Sequence, residues 1–334
     1  MSTGLRFSPV FTAPSLCLVP VASVASSLLP EPTSQAIQYQ NSQDWFWGAD
    51  HVMGLAVPLL VLFSGVAGRL AKQCYRLSHG RWFLAIALFA IAYATIDFSL
   101  NLPVAFWEGY VNEHHFRLGT GSVGQWLKEQ GVGYLVTLIA VSLLTWVPYF
   151  FMQATPRLWW LWSAVAFLPV FILMHIVSPI WIAPLTNRFE PLADKSLEAK
   201  IDALAMRAGI TGATILVKDE SRSSKLPNAG VRGMFGTTRI VINDNLIELT
   251  DERELLVVVA FIRNVEHNAD LFALDLTLDN DAAMSVIRKA AGLFWYVPNP
   301  GWFRRNFRTD HPPLDERARF LASYRPQDPN PQGH

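Results

Sequence analysis

The sequence predicts a mainly α protein: multi-pass transmembrane helices, then an α+β domain with a small β-sheet. Three observations carry this. Charged residues are only 16% of the 334 and apolar ones 51%, against about 25% charged in an average soluble chain. The charge deficit falls almost wholly before residue 187. After it, short amphipathic and β-branched stretches replace the long apolar runs. The 27 basic and 27 acidic residues cancel, so no basic field argues for nucleic acid, and no nucleic-acid partner is expected. Cys17 and Cys74 are too few for a disulfide framework.

Residues 1–30 carry one basic residue, Arg6, then an apolar stretch ending in small residues. They read as a signal peptide or as a first membrane helix. Residues 31–50 read as a linker ending in the interfacial pair Trp45 and Trp47. Within 51–186, four apolar runs at 52–68, 82–106, 132–154 and 158–185 reach or approach the roughly 20 residues that span a bilayer. The expectation is a multi-pass integral membrane protein with about four helices and the lipid bilayer as a partner. Asp97, Asn101 and His175 interrupt these runs; groups of this kind usually face a bundle interior. The loop at 69–81 holds Arg69, Lys72, Arg76 and Arg81 and no acid, which favours the cytoplasm. With four spans the C-terminal domain is then outside, whereas a retained helix before residue 30 reopens its side.

The second region, 187–324, alternates helix and strand. Leu197, Ile201, Leu204 and Ala205 recur at helical spacing within 192–209, before Gly209. Residues 213–218 and 239–247 read as strands. Thr250, followed by acids, reads as the cap of a helix running through Glu254 to Ala260. Helices are expected at about 265–277 and 279–293, and the tail 325–334 reads as disordered.

Several stretches resemble the type-I CAAX prenyl protease family of integral-membrane zinc metalloproteases. They are FWEGYVNEHHFRLGTG at 106–121, PIWIAPLTNRFEPLADKSLEAKIDALAMRAGI at 179–210, PNAGVRGMFGTTRIVINDNLIE at 227–248, VEHNADLFALDLT at 265–277 and TDHPPLDERARFLASYRP at 309–326. The resemblance implies a zincin-like domain acting on a peptide or protein substrate, prenylated in the family, with zinc as cofactor. Carried over residue by residue, it makes Glu266 the metal ligand of an E-x-x-x-D helix and Asp270 the carboxylate behind a zinc-bound histidine. It makes Asn228 and Ala229 part of a substrate-binding strand, and His311 and Arg317 the pair that faces the metal and steadies an oxyanion.

The same resemblance exposes a gap. Family members continue from ELLVVVA into H-E-x-x-H, two histidines on one helix face with the general-base glutamate between them. None of the eight histidines here forms that motif, and ELLVVVA runs directly into FIRNVEHNAD. The zincin-like domain is therefore expected to be incomplete at its zinc helix, with zinc weak or absent and hydrolysis impaired. The alternative is a non-enzymatic peptide-binding or assembly protein.

Overall fold

The computed structural model describes residues 28–324, with 235, 262–266, 294–295, 299 and 309–311 outside the description. The signal-peptide-or-helix question at 1–30 (all but its last three residues) and the expected disordered tail at 325–334 lie outside the described residues.

Among the described residues four helical stretches are long and apolar enough to cross a membrane: Ser34–Phe63, Trp82–His115, Val123–Ala154 and Trp159–Thr186. The first, α1 (Ser34–Phe63), starts behind Thr33, whose side chain accepts from the Ala36 N–H. It stops at Ser64 and Gly65, where a backbone φ of +75° suits glycine. Residues 34–50, expected as a linker, are instead the first half of this helix. Nothing there breaks a helix, and its polar side chains are used by the far end of the chain.

Helix α2 (Val66–Leu77) carries most of the basic loop. Helix α3 (Trp82–Phe106) continues through a widened turn at Trp107–Asn112 to a last turn at Glu113–His115. Helix α4 (Val123–Leu144), capped by Ser122, runs on into α5 (Trp146–Ala154). Helix α6 (Trp159–Val177) passes through a widened turn at Ser178–Ile182 into α7 (Ala183–Thr186). The Asn101 and His175 side chains in these spans bond to the backbone one turn earlier. Asn101 donates to the Asp97 carbonyl at 2.9 Å, and His175 Nδ1 lies 3.0 Å from the Phe171 carbonyl.

The second region comprises β1 (Phe189–Pro191), α8 (Lys195–Arg207), β2 (Thr214–Lys218), β3 (Ala229–Arg232) and β4 (Arg239–Asn243). Helices α9 (Asp244–Leu249), α10 (Glu252–Phe261), α11 (His267–Thr277), α12 (Asn280–Leu293), α13 (Trp302–Phe307) and α14 (Leu314–Ser323) follow. The sheet order is β1-β2-β4-β3; β2 and β4 are parallel and the outer pairs antiparallel. The strand expected to reach residue 247 ends at Asn243. There the Asp244 carboxylate accepts from the N–H groups of Glu220, Ser221 and Asn245 and from the Ser221 hydroxyl, which turns the chain into α9. The cap expected at Thr250 is supplied one residue later: Asp251 accepts from the Glu254 N–H, and Glu254 accepts back from the Asp251 N–H, both at 2.9 Å.

One face of the sheet is core. Ile215, Ile240 and Ile242 pack with Leu197, Ile201 and Leu204 of α8 and with Leu255 and Val259 of α10. The opposite side of α10 buries Val257 in a second core with Leu274, Ile287 and Leu321. A helix wedged between two cores explains the run ELLVVVA, which is apolar on every side.

The domain is tied to the membrane helices at two places. Thr120 of the loop between α3 and α4 donates from its N–H to the Ser223 carbonyl and from its hydroxyl to the Ser221 carbonyl. Arg304 of α13 donates to Asp44 of α1 at 2.5 Å and also engages Gln40 and Asn41. Arg308 reaches Asp44 and the Gln43 carbonyl and lies over the Trp47 ring.

Candidate functional site

Strand β3 is the edge of the sheet, next to β4 alone. The Asn228 carbonyl accepts from the Asn243 N–H at 2.9 Å, which sets the ladder. In antiparallel pairing, residues alternate between bonding the neighbour and facing away. Gly230 and Arg232 therefore bond β4, while the backbone groups of Ala229 and Val231 face the free edge. The Ala229 N–H is already taken by the Asn228 side-chain oxygen at 2.8 Å. The Ala229 carbonyl and both backbone groups of Val231 remain to receive an extended chain. After β3 the chain reverses at Gly233, whose φ is +89° and whose missing Cβ would sit 2.3 Å from the Thr237 carbonyl oxygen; any side chain there would force the turn open. Asn228 and Ala229 thus stand at the strand named by the resemblance, with Asn228 shaping the edge through Ala229. Val231, not named among the sequence-read site residues, contributes the most open backbone; its only signal was the family likeness of the stretch 227–248.

Helices α10 and α11 pack against each other. Asp270 of α11 is buried, at 2% exposure. Arg317 of α14 grips it: Nε lies 3.0 Å from both carboxylate oxygens, and Nη2 lies 2.6 Å from Oδ1. The Arg317 guanidinium also covers the Phe261 ring, 4.8 Å from its centroid. The structure therefore brings two of the named site residues, Asp270 and Arg317, together at the end of α10. The Arg317 guanidinium faces a carboxylate, and Asp270 accepts from it at both oxygens. Glu266 and His311 lie outside the described residues.

A second buried carboxylate holds the start of α10. Glu254, at 3% exposure, accepts from Lys289 Nζ at 2.6 Å and from the Ser285 hydroxyl at 2.5 Å. Burial pushes the Glu254 carboxyl up, but these bonds outweigh it and hold it below the usual carboxylate range.

A catalytic zinc needs three protein ligands and an open position. Among the described residues no three His, Cys, Asp or Glu side chains gather in that way. The two buried acids among the described residues, Asp270 and Glu254, are already committed to Arg317 and to Lys289 with Ser285. The described residues do not fit a zinc site, and no chemical step is drawn through one.

Comparison with known proteins places this architecture. Residues 18–188 match the family described as CAAX prenyl protease N-terminal, five membrane helices. Residues 191–261 match Peptidase family M48, and that match ends at the last residue of α10. The chain is 26% identical over 238 residues to an uncharacterized metalloprotease, YhfN, of Bacillus subtilis, covering 71% of this chain and 55% of that protein. It is 29% identical over 169 residues to the CAAX prenyl protease 1 homolog of Dictyostelium discoideum (48% of this chain, 38% of that protein) and 30% identical over 165 residues to CAAX prenyl protease 1 of Saccharomyces cerevisiae (48% and 36%). The chain thus spans about half or less of the length of these curated relatives. The crystal structure of S. mikatae Ste24p shares the fold, with a TM-score of 0.68 and 17% identity over 86% of this chain and 87% of that one. Four apolar spans, the small mixed sheet and the two family matches together make this chain a member of the CAAX prenyl protease family of integral-membrane metalloproteases, Peptidase family M48.

Proposed function

We propose that this chain is a membrane-embedded peptide-binding homologue of the CAAX-type metalloproteases, disabled for hydrolysis. The observation that carries the reading is the junction after α10: no H-E-x-x-H occurs anywhere in the 334 residues, and only 262–266 separate Phe261 from α11. Peptide-bond hydrolysis of the family type needs two histidine ligands and a general-base glutamate in one helix. A lone Glu266 does not replace them.

What remains supports binding. The edge of β3 offers backbone groups to a peptide strand, and the Asp270–Arg317 pair joins α11 to α14. The substrate class is therefore an extended peptide or protein segment reached at the membrane surface. Zinc analysis of the purified full-length chain, with a chelator-controlled peptidase assay and a peptide-binding titration, tests this. The expected result is substoichiometric zinc, no chelator-sensitive cleavage and saturable peptide binding. One tightly held zinc per chain with chelator-sensitive cleavage overturns the disabled reading. Sequencing the gene between the codons for Ala260 and Phe261 is the companion test: a skipped segment encoding H-E-x-x-H would make the natural protein an active protease.

A further inference from the structure

The face of the sheet opposite the core carries a second site. A cavity of about 370 Å³ has this face as its floor, with Arg232 of β3 and Arg239 and Asn243 of β4 among its lining. Its other wall is the end of the fourth span, at Pro179 and Ala183. In the β3–β4 register Arg232 stands directly opposite Arg239. Side chains so placed have Cβ atoms about 5 Å apart, and like charges there repel. Among the described residues neither arginine forms an ion pair, and the Arg232 side chain makes no hydrogen bond. Lys218 and Glu220, which also line the cavity, neutralise each other as an ion pair. The cavity therefore holds two positive charges that the described residues leave without a counter-ion.

Its position indicates what compensates them. Arg239 Nη1 donates to the Pro179 carbonyl at 2.9 Å, fixing the pair at the exit of the span Trp159–Thr186. Two residues beyond Pro179, Trp181 is 74% exposed, as an aromatic residue is at headgroup depth. Paired guanidinium forks match the oxygens of a phosphate group.

We propose that Arg232 and Arg239 form an anion site that takes the phosphate of an anionic phospholipid headgroup. Free phosphate offers the same chemistry, so the test separates the two sources. The cavity also touches Asn228, Ala229 and Gly230 of the strand in the peptide reading, but the anion site rests on the Arg232 and Arg239 side chains instead of the strand edge.

The full-length chain in an uncharged detergent is titrated with dioctanoyl phosphatidylglycerol, dioctanoyl phosphatidylcholine and inorganic phosphate, following Tm. Phosphatidylglycerol should raise Tm saturably, while phosphatidylcholine and inorganic phosphate leave it nearly unchanged. Arg232→Gln, which removes a side chain with no polar partner among the described residues, should keep or raise the lipid-free Tm and raise the half-saturating phosphatidylglycerol concentration at least tenfold. Equal responses of wild type and Arg232→Gln to phosphatidylglycerol overturn the site. Equal responses to the two lipids overturn its anion selectivity, and saturation by inorganic phosphate alone overturns the lipid assignment. If Arg232→Gln lowers the lipid-free Tm, the pair is structural and the proposal fails.

Discussion

The Asp270 carboxylate shows how much rests on single side chains here. It is buried, and both oxygens accept from Arg317. Removing one partner of such a pair strands a charge in the interior and typically costs about 3–5 kcal/mol, whereas replacing both by apolar groups of similar size is often neutral. Asp270→Ala and Arg317→Ala should therefore each lower Tm strongly, and the double variant Asp270→Leu/Arg317→Met should recover most of the loss. Three equal and small shifts in thermal unfolding would contradict the pairing. Glu254 makes a different prediction. Its folded pKa is held below the usual carboxylate value by Lys289 and Ser285. Its contribution is then complete above the unfolded value, about 4.3, and is lost as pH falls through the lower folded value. Tm should be flat with pH above about 5 and decline in acid, and Glu254→Gln should be less stable at neutral pH with a shallower acid decline. An unchanged acid limb in the variant would count against this role. Neither partnership was legible in the sequence: Asp270 and Arg317 are 47 positions apart and Glu254 and Lys289 are 35 apart. Helical spacing reveals only neighbours one turn away.

Among elements, β3 is the one whose function depends on which way its backbone faces. The Val231 N–H points to the free edge, so proline there removes a donor for an incoming peptide without removing a bond to β4. Val231→Pro should abolish peptide binding while leaving the fold's circular dichroism and Tm nearly intact; binding that survives would place the peptide elsewhere. The sequence made the helices easier to read than this strand. Long apolar runs and the periodic Leu197, Ile201 and Leu204 announce themselves, and the last three spans contain or closely follow the runs read from the sequence, while the first begins at Ser34 instead of residue 52. A four-residue strand containing Gly230 carries too little pattern to stand out, and only the family likeness marked it. The polar start of α1 was misread for the converse reason. Its polarity suggested a linker, whereas those side chains are spent on Arg304 and Arg308.

At the scale of the whole molecule, the two tethers fix sidedness among the described residues. The start of α1, the α3–α4 loop and the domain lie on one side of the four spans, and the basic segment of α2 lies on the other. The excess of Arg and Lys in that segment favours the cytoplasm, so the prediction is that this segment lies inside and the domain outside. In a variant lacking Cys17 and Cys74, a membrane-impermeant maleimide should label Thr120→Cys in intact cells and Thr155→Cys only after lysis; the reverse pattern would invert the topology. The Arg304–Asp44 contact also has a consequence for the birth of the protein. It joins residues 260 positions apart, and ribosomes add about 5–20 residues per second. The start of α1 must therefore wait roughly 13–50 s for its partner to be made. During that interval Gln40, Asn41 and Asp44 stand open at the bilayer surface, so the first helix enters the membrane well before the contacts that finally hold its end in place exist.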